Sequence, residues 1–140
     1  VPAAVGRDFP RETDLPPMSR IRPDELDERL GTDDEPFLLD IRPEADFEAG
    51  AIEGSRNVPV YDDLRGGDDA ALRRRLDEVP ADREVVTVCK MGIVAKRATR
   101  ILDDAGYEAS TLSGGMSGWN GYERGSVGYK IRSLWWRLRG

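Results

Sequence analysis

The sequence predicts an α/β domain with a mostly parallel central sheet flanked by helices. Two observations carry that expectation. Short runs of β-branched or leucine-rich residues, such as Phe37-Leu38-Leu39-Asp40-Ile41 and Val85-Val86-Thr87-Val88, have the length and continuity of strands buried on both faces. Segments of helical character separate them, bounded by glycine and proline, and strands joined by helical crossovers become parallel neighbours. A third observation places the chemistry: Cys89, the only cysteine, follows the most apolar of these runs and leads into a helix.

Residues 1–17 hold Pro2, Pro10, Pro16 and Pro17 among charges with little apolar periodicity, which reads as a linker or extended arm. The compact domain is expected over 18–125. Ile21 starts a short strand, Pro23 suits the first turn of a helix, and Leu26 and Leu30 form its apolar stripe before Gly31 ends it. The Phe37 strand follows. Pro43 to Ala49 makes a short helix stopped by Gly50, and Arg56-Asn57-Val58 is a strand closed by Pro59. Tyr61 to Leu64 and Asp69 to Leu76 look helical, with Gly66-Gly67 between them. The Val85 strand then runs through Cys89-Lys90-Met91-Gly92-Ile93-Val94-Ala95 into a helix from Lys96 to about Ala105, ended by Gly106. Ser110-Thr111-Leu112 is the last strand, and the glycine-rich Ser113 to Trp119 segment after it is expected to serve as a turn and as packing.

The last fifteen residues, 126–140, carry no acid. They combine Lys130, Arg132, Arg137 and Arg139 with Trp135 and Trp136, and Val127, Ile131, Leu134, Trp135 and Leu138 share one helical face. This basic amphipathic tail suits packing on its own domain, docking to a partner protein, or weak contact with an anionic membrane surface.

Composition excludes several function classes. The chain has no histidine, so Cys-His and Ser-His pairs, histidine-based zinc sites and imidazole acid–base steps are ruled out. A net charge of −6 opposes general nucleic-acid binding, which needs a basic surface. One cysteine forms no internal disulfide, and no signal peptide or run of about twenty apolar residues is present, so a cytoplasmic setting is the expectation. The chain begins at Val1, consistent with a domain cut from a longer protein.

In an open α/β sheet, ligands bind outside the carboxyl ends of the strands, where a helix N-terminus offers free N–H groups and a positive dipole end. Cys89 occupies such a position, and its thiol is expected to ionise more easily there. Lys90 adds a cation beside the sulfur. A lone cysteine after a buried strand is more often a small core hydrophobe, so the wider pattern has to decide.

That pattern consists of Leu38-Leu39-Asp40-Ile41-Arg42 with Asp46-Phe47, Gly50 to Pro59, Cys89 with Gly92, Gly106-Tyr107, and Leu112-Ser113-Gly114-Gly115 with Trp119. In this order the segments resemble the landmarks of the rhodanese-like sulfurtransferases over about residues 19 to 125. The resemblance implies a rhodanese-like three-layer fold and a Cys89 nucleophile that calls for neither cofactor nor metal. It also implies substrate contacts from Lys90, Met91, Gly92, Ile93, Val94 and Ala95. Asp40 and Arg42 are candidates for a supporting role, although charges at a strand end more commonly form a local ion pair or a cap.

The departures from the family pattern are specific. Ala51 stands where many members carry histidine, and many single-domain members have Arg and Ser at the positions of Val94 and Ala95. The turn is closer to that of the two-domain thiosulfate sulfurtransferases, which place basic residues directly after the cysteine; Lys90 keeps one such charge and Met91 replaces the second. Cysteine-dependent phosphatases and arsenate reductases require Arg six positions after the cysteine, and here that residue is Ala95.

The implied chemistry is attack of a thiolate on the outer sulfur of thiosulfate or a persulfide donor, then removal of that sulfur from the Cys89 persulfide by a thiol, cyanide or a protein acceptor. The competing expectation is a binding or regulatory module that keeps the fold without turnover.

Overall fold

Period-two alternation sends neighbouring strand residues to opposite sides of a sheet, and the computed structural model, which describes residues 19–125, shows this at each central strand. The arm over 1–17 and the tail over 126–140 lie outside the described residues. The strands are β1 (Arg20–Ile21), β2 (Phe37–Asp40), β3 (Arg56–Asn57), β4 (Val85–Val88) and β5 (Ala109–Leu112). They form one sheet in the order β1-β5-β4-β2-β3, and every pairing is parallel.

Leu39 and Val85 point into one apolar cluster with Ile41, Val58, Leu64, Leu72 and Ile101, whereas Leu38, Val86 and Val88 point into the other with Leu26, Leu112 and Trp119. Helices α3 (Tyr61–Arg65), α4 (Ala70–Arg73) and α5 (Val94–Asp104) supply the cover on the first side. Helix α1 (Pro23–Arg29) and a helix over 115–125, α6, supply it on the second through Leu26, Met116 and Trp119. Helix α2 (Glu44–Ala49) buries no side chain. The result is the three-layer α/β architecture expected from the strand and helix alternation.

Two segments differ from the expectation. Residues 115–125 are helical, although glycine is a poor helix former and the preceding run looked like a turn. Met116 and Trp119, three apart, both enter the second cluster, with Tyr122 packed beside them, so burial of one face overrides local propensity. The run from Asp69 to Leu76 is also broken: α4 ends at Arg73, and Leu76–Glu78 forms one 3₁₀ turn. The Tyr107 hydroxyl lies 3.1 Å from the Leu76 carbonyl oxygen and 3.0 Å from that of Val79, fixing this turn against the loop after α5. No helix among the described residues is long and apolar enough to cross a membrane.

The same 3₁₀ turn carries a charge cluster with a definite pH signature. Arg75 donates to Glu78 at 2.5 Å and 3.1 Å, and Arg56 donates at 2.7 Å. These guanidinium hydrogen bonds, that of Arg75 foremost, lower the Glu78 carboxyl from 4.5 to about 2. A carboxyl held lower in the folded state than in the unfolded chain stabilises fully above the unfolded value, and the contribution fades as pH falls through the folded one. Wild type should therefore exceed Glu78→Gln in urea-unfolding stability at pH 7, and the difference should vanish between about pH 4.5 and 2. A difference constant over that range would show that Glu78 acts through packing alone.

Candidate functional site

β4 ends at Val88, and Cys89 is the next residue, at the carboxyl edge of the sheet between its two neighbouring strands. The chain then turns through Lys90 to Ile93 and enters α5 at Val94, two residues earlier than the helical run in the sequence suggests. The Cys89 side chain is only 1% exposed. Its Sγ accepts the Gly92 N–H at 3.1 Å and the Ala95 N–H at 3.4 Å. Of the loop residues 90 to 95, these two supply the N–H groups directed at the sulfur. Donors of this kind suit a sulfur that carries negative charge.

The loop closes this tightly because of two glycines. Gly92 has φ +79°, and a Cβ there would lie 3.0–3.1 Å from Gly114 N, Gly115 N and Leu112 O. Gly115, with φ +57°, abuts the loop from the other side: a Cβ there would fall on the Cys89 carbonyl oxygen and within 2.7 Å of Gly92 N and Lys90 C. The start of α6 also grips the loop, since the Met116 N–H donates to the Cys89 carbonyl at 2.8 Å and the Ser117 N–H to that of Lys90 at 3.0 Å. The glycine-rich segment thus serves as a backbone clamp on the cysteine loop.

A buried threonine chain supports the loop from below. Thr87 Oγ1 donates to the Ala95 carbonyl at 3.0 Å and lies 2.9 Å from Thr99 Oγ1, which lies 2.7 Å from Thr111 Oγ1. With Thr87 donating to Ala95, the hydroxyls are satisfied in sequence if Thr111 donates to Thr99 and Thr99 to Thr87. The chain ties β5, α5 and β4 together at the residue whose N–H meets the sulfur.

Asp40 is 0% exposed and receives Arg42 in a forked arrangement: Nε lies 3.0 Å from Oδ1 and Nη2 lies 2.8 Å from Oδ2. The Arg42 backbone N–H donates to Oδ1 at 3.0 Å, and Nη2 also reaches the Gly50 carbonyl at 2.8 Å. Asn57 Nδ2 pins the same segment by donating to the Asp40 and Arg42 carbonyls. Asp40 and Arg42 therefore direct their charges at each other.

Two hollows meet at Lys90. One, of about 280 Å³, is lined by Cys89, Lys90, Met91, Ile93 and Val94 of the loop and by Tyr61 and Arg65 of α3. The other, of about 520 Å³, has Arg42, Asp46, Ala51, Ser117, Asn120 and Glu123 around Lys90. Of the loop residues expected from the sequence, Lys90, Met91, Ile93 and Val94 line the hollow beside Cys89, whereas Gly92 and Ala95 are buried and reach the sulfur through their N–H groups. Tyr61, Arg65 and the threonine chain were not foreseen, while Gly115, expected to serve in a turn and in packing, presses on the cysteine loop itself. Threonine in a buried strand looks like any β-branched residue, and the place of Tyr61 and Arg65 depends on how α3 packs.

A single thiol carried to the carboxyl edge of a parallel sheet, inside a glycine-closed loop at a helix N-terminus, defines a cysteine-loop α/β domain. The chain belongs to the rhodanese-like domain family, whose profile matches residues 22–122. Among curated proteins it is 37% identical over 84 residues to the HTH-type transcriptional regulator Rv0324 of Mycobacterium tuberculosis, covering 59% of this chain and 33% of that protein. To a protein of Allochromatium vinosum named sulfurtransferase it is 28% identical over 103 residues, covering 73% of this chain and 88% of the relative. Among solved structures, a NAD-dependent persulfide reductase from A. fulgidus matches at 34% identity with a TM-score of 0.54, over 73% of this chain and 16% of that one. The chain thus spans a third of the first of these relatives and a sixth of the last.

Proposed function

We propose that this domain transfers sulfane sulfur through a persulfide on Cys89. The observation that carries the reading is the sulfur held under the Gly92 and Ala95 N–H groups at the start of α5 while lining a hollow. Membership of the rhodanese-like family and the sulfurtransferase name of one relative support it. The Cys89 thiolate attacks the outer sulfur of a donor such as thiosulfate; the donor's S–S bond breaks and its electron pair leaves on sulfite. The resulting persulfide carries the negative charge on its terminal sulfur. A thiol, cyanide or a protein acceptor attacks that sulfur, and the Cys89 thiolate is restored.

In this reading Lys90 draws the anion to the loop and Met91, Ile93 and Val94 meet its remaining atoms. Asp40 and Arg42 are positioning residues that stiffen the segment beside the loop. No basic side chain or metal is needed to generate the nucleophile once the sulfur is anionic.

Intact mass spectrometry after incubation with thiosulfate provides the test. Wild type should gain the mass of one sulfur atom, lose it on addition of cyanide, and release thiocyanate in equal amount. Cys89→Ser should show neither change. Absence of the gain in folded wild type, or its persistence in Cys89→Ser, would refute the proposal and leave the domain as a binding module.

A further inference from the structure

We infer that residues 126–140 of this chain fold back as a helix into an acidic groove with an apolar floor beside α6. The inference concerns a surface apart from the Cys89 hollow and does not depend on the chemistry there. The groove is a hollow of about 680 Å³ between α1, the loop after α2 and α6. Ile52 and Trp119 of the second core cluster form its floor, with half-buried Leu30 packed against them. Carboxylates reach it from several segments: Asp27 from α1, Glu35 from the stretch after it, Glu53 from the loop after α2, and Glu123 from α6. Asp27 accepts the Tyr122 hydroxyl at 2.6 Å. None of the four has an ion-pair partner among the described residues, and no basic side chain lines the hollow. Carboxylates gathered in this way repel one another, and an occupant that carries cations relieves the repulsion.

The tail lies outside the described residues, and its sequence is the complement of this groove. Wound as a helix, Val127, Ile131, Leu134, Trp135 and Leu138 form one stripe, with Lys130 and Arg137 along one flank and Arg132 and Arg139 along the other. No acid interrupts the pattern. An apolar stripe between two rows of cations matches an apolar floor ringed by carboxylates.

Position along the chain favours this occupant over a separate partner. Ser126 directly follows α6, the helix that contributes Trp119 and Glu123 to the groove. So short a tether holds the tail at an effective concentration of roughly millimolar. Gly125 and Gly128 flank the point where the chain must reverse, and residues 129–139 span about 16 Å as a helix, with as many residues as α6. On an anionic membrane, the same tether would bring the four carboxylates toward like charge.

Hydrogen–deuterium exchange of the full chain, read by pepsin digestion and mass spectrometry, tests the docking. Amides over 129–139 should exchange at least about tenfold more slowly in wild type than in a synthetic peptide of residues 126–140. Glu53→Lys/Glu123→Lys reverses two exposed rim charges and should speed their exchange about tenfold, the size expected for losing two exposed ion pairs and adding repulsion. Asp77→Lys/Asp82→Lys changes net charge equally at exposed positions outside the groove and should leave tail exchange as in wild type. Unchanged exchange over β4 reports that each variant is folded. Wild-type tail amides as fast as those of the peptide, or equal effects of the two double substitutions, would overturn the inference. So would protection that grows with protein concentration, which places the tail on a second copy, or protection that appears only with phosphatidylglycerol vesicles, which places it on lipid.

Discussion

Gly115→Ala should cripple the cysteine loop, with sulfur loading from thiosulfate about 100-fold slower and stability lower by about 2–5 kcal/mol. Two effects add. The backbone at Gly115 has φ +57°, a left-handed conformation that disfavours any residue with a Cβ by about 1–2 kcal/mol. The new methyl would also meet the Cys89 carbonyl oxygen, Gly92 N and Lys90 C, which are backbone atoms with no rotamer through which to yield. The loop must therefore shift, and with it the N–H groups of Gly92 and Ala95 that meet Sγ. Gly31→Ala separates the two effects, because Gly31 has φ +78° but nothing within 4 Å of a new Cβ. It should lose only the conformational part and load sulfur normally. Urea unfolding and timed intact mass on both variants measure this. Equal behaviour of the two would show that crowding against the loop is unimportant.

Arg42→Ala should destabilise the domain by about 3–5 kcal/mol, because it leaves the fully buried Asp40 carboxylate without its guanidinium. The total stability of such a domain is about 5–15 kcal/mol, so the loss is a large share of it and should lower Tm by about 10–15 °C. Arg42→Lys should recover little, since an ammonium cannot reproduce the fork onto both carboxylate oxygens together with the contact to Gly50 O. Combining Arg42→Met with Asp40→Asn, which removes both charges, should recover part of the loss. Calorimetric scans of the three variants check the order. A double variant no more stable than Arg42→Ala would place the loss in packing and not in the orphaned charge.

How much of this was legible beforehand varies with the range of the interaction. The buried run Val85 to Val88, the strand beginning at Phe37 and the helix entered after the cysteine turn were readable because a continuous β-branched or leucine-rich run and a helix closed by a glycine are local properties. The cysteine turn was readable for the same reason: strand, loop and helix follow one another directly along the chain. The helix over 115–125 was obscured by its glycines, whose poor propensity is outweighed by burial of Met116 and Trp119. Asp40 and Arg42 were visible as charges at a strand end, and only the fold shows that they pair with each other.

By itself the sequence determined the α/β class, the place of Cys89 at the end of an apolar strand, and the exclusion of histidine-dependent chemistry. These follow from residue identity and short-range order. The tertiary structure alone decided that β4 lies between β2 and β5, that Gly115 presses on the Cys89 carbonyl, that Thr87 supports Ala95, and that Tyr61 and Arg65 join Met91 and Ile93 around the sulfur. Each of those contacts joins residues from separate elements. They are set by how helices pack on a sheet whose strand order departs from the order of the chain, and no local pattern encodes that.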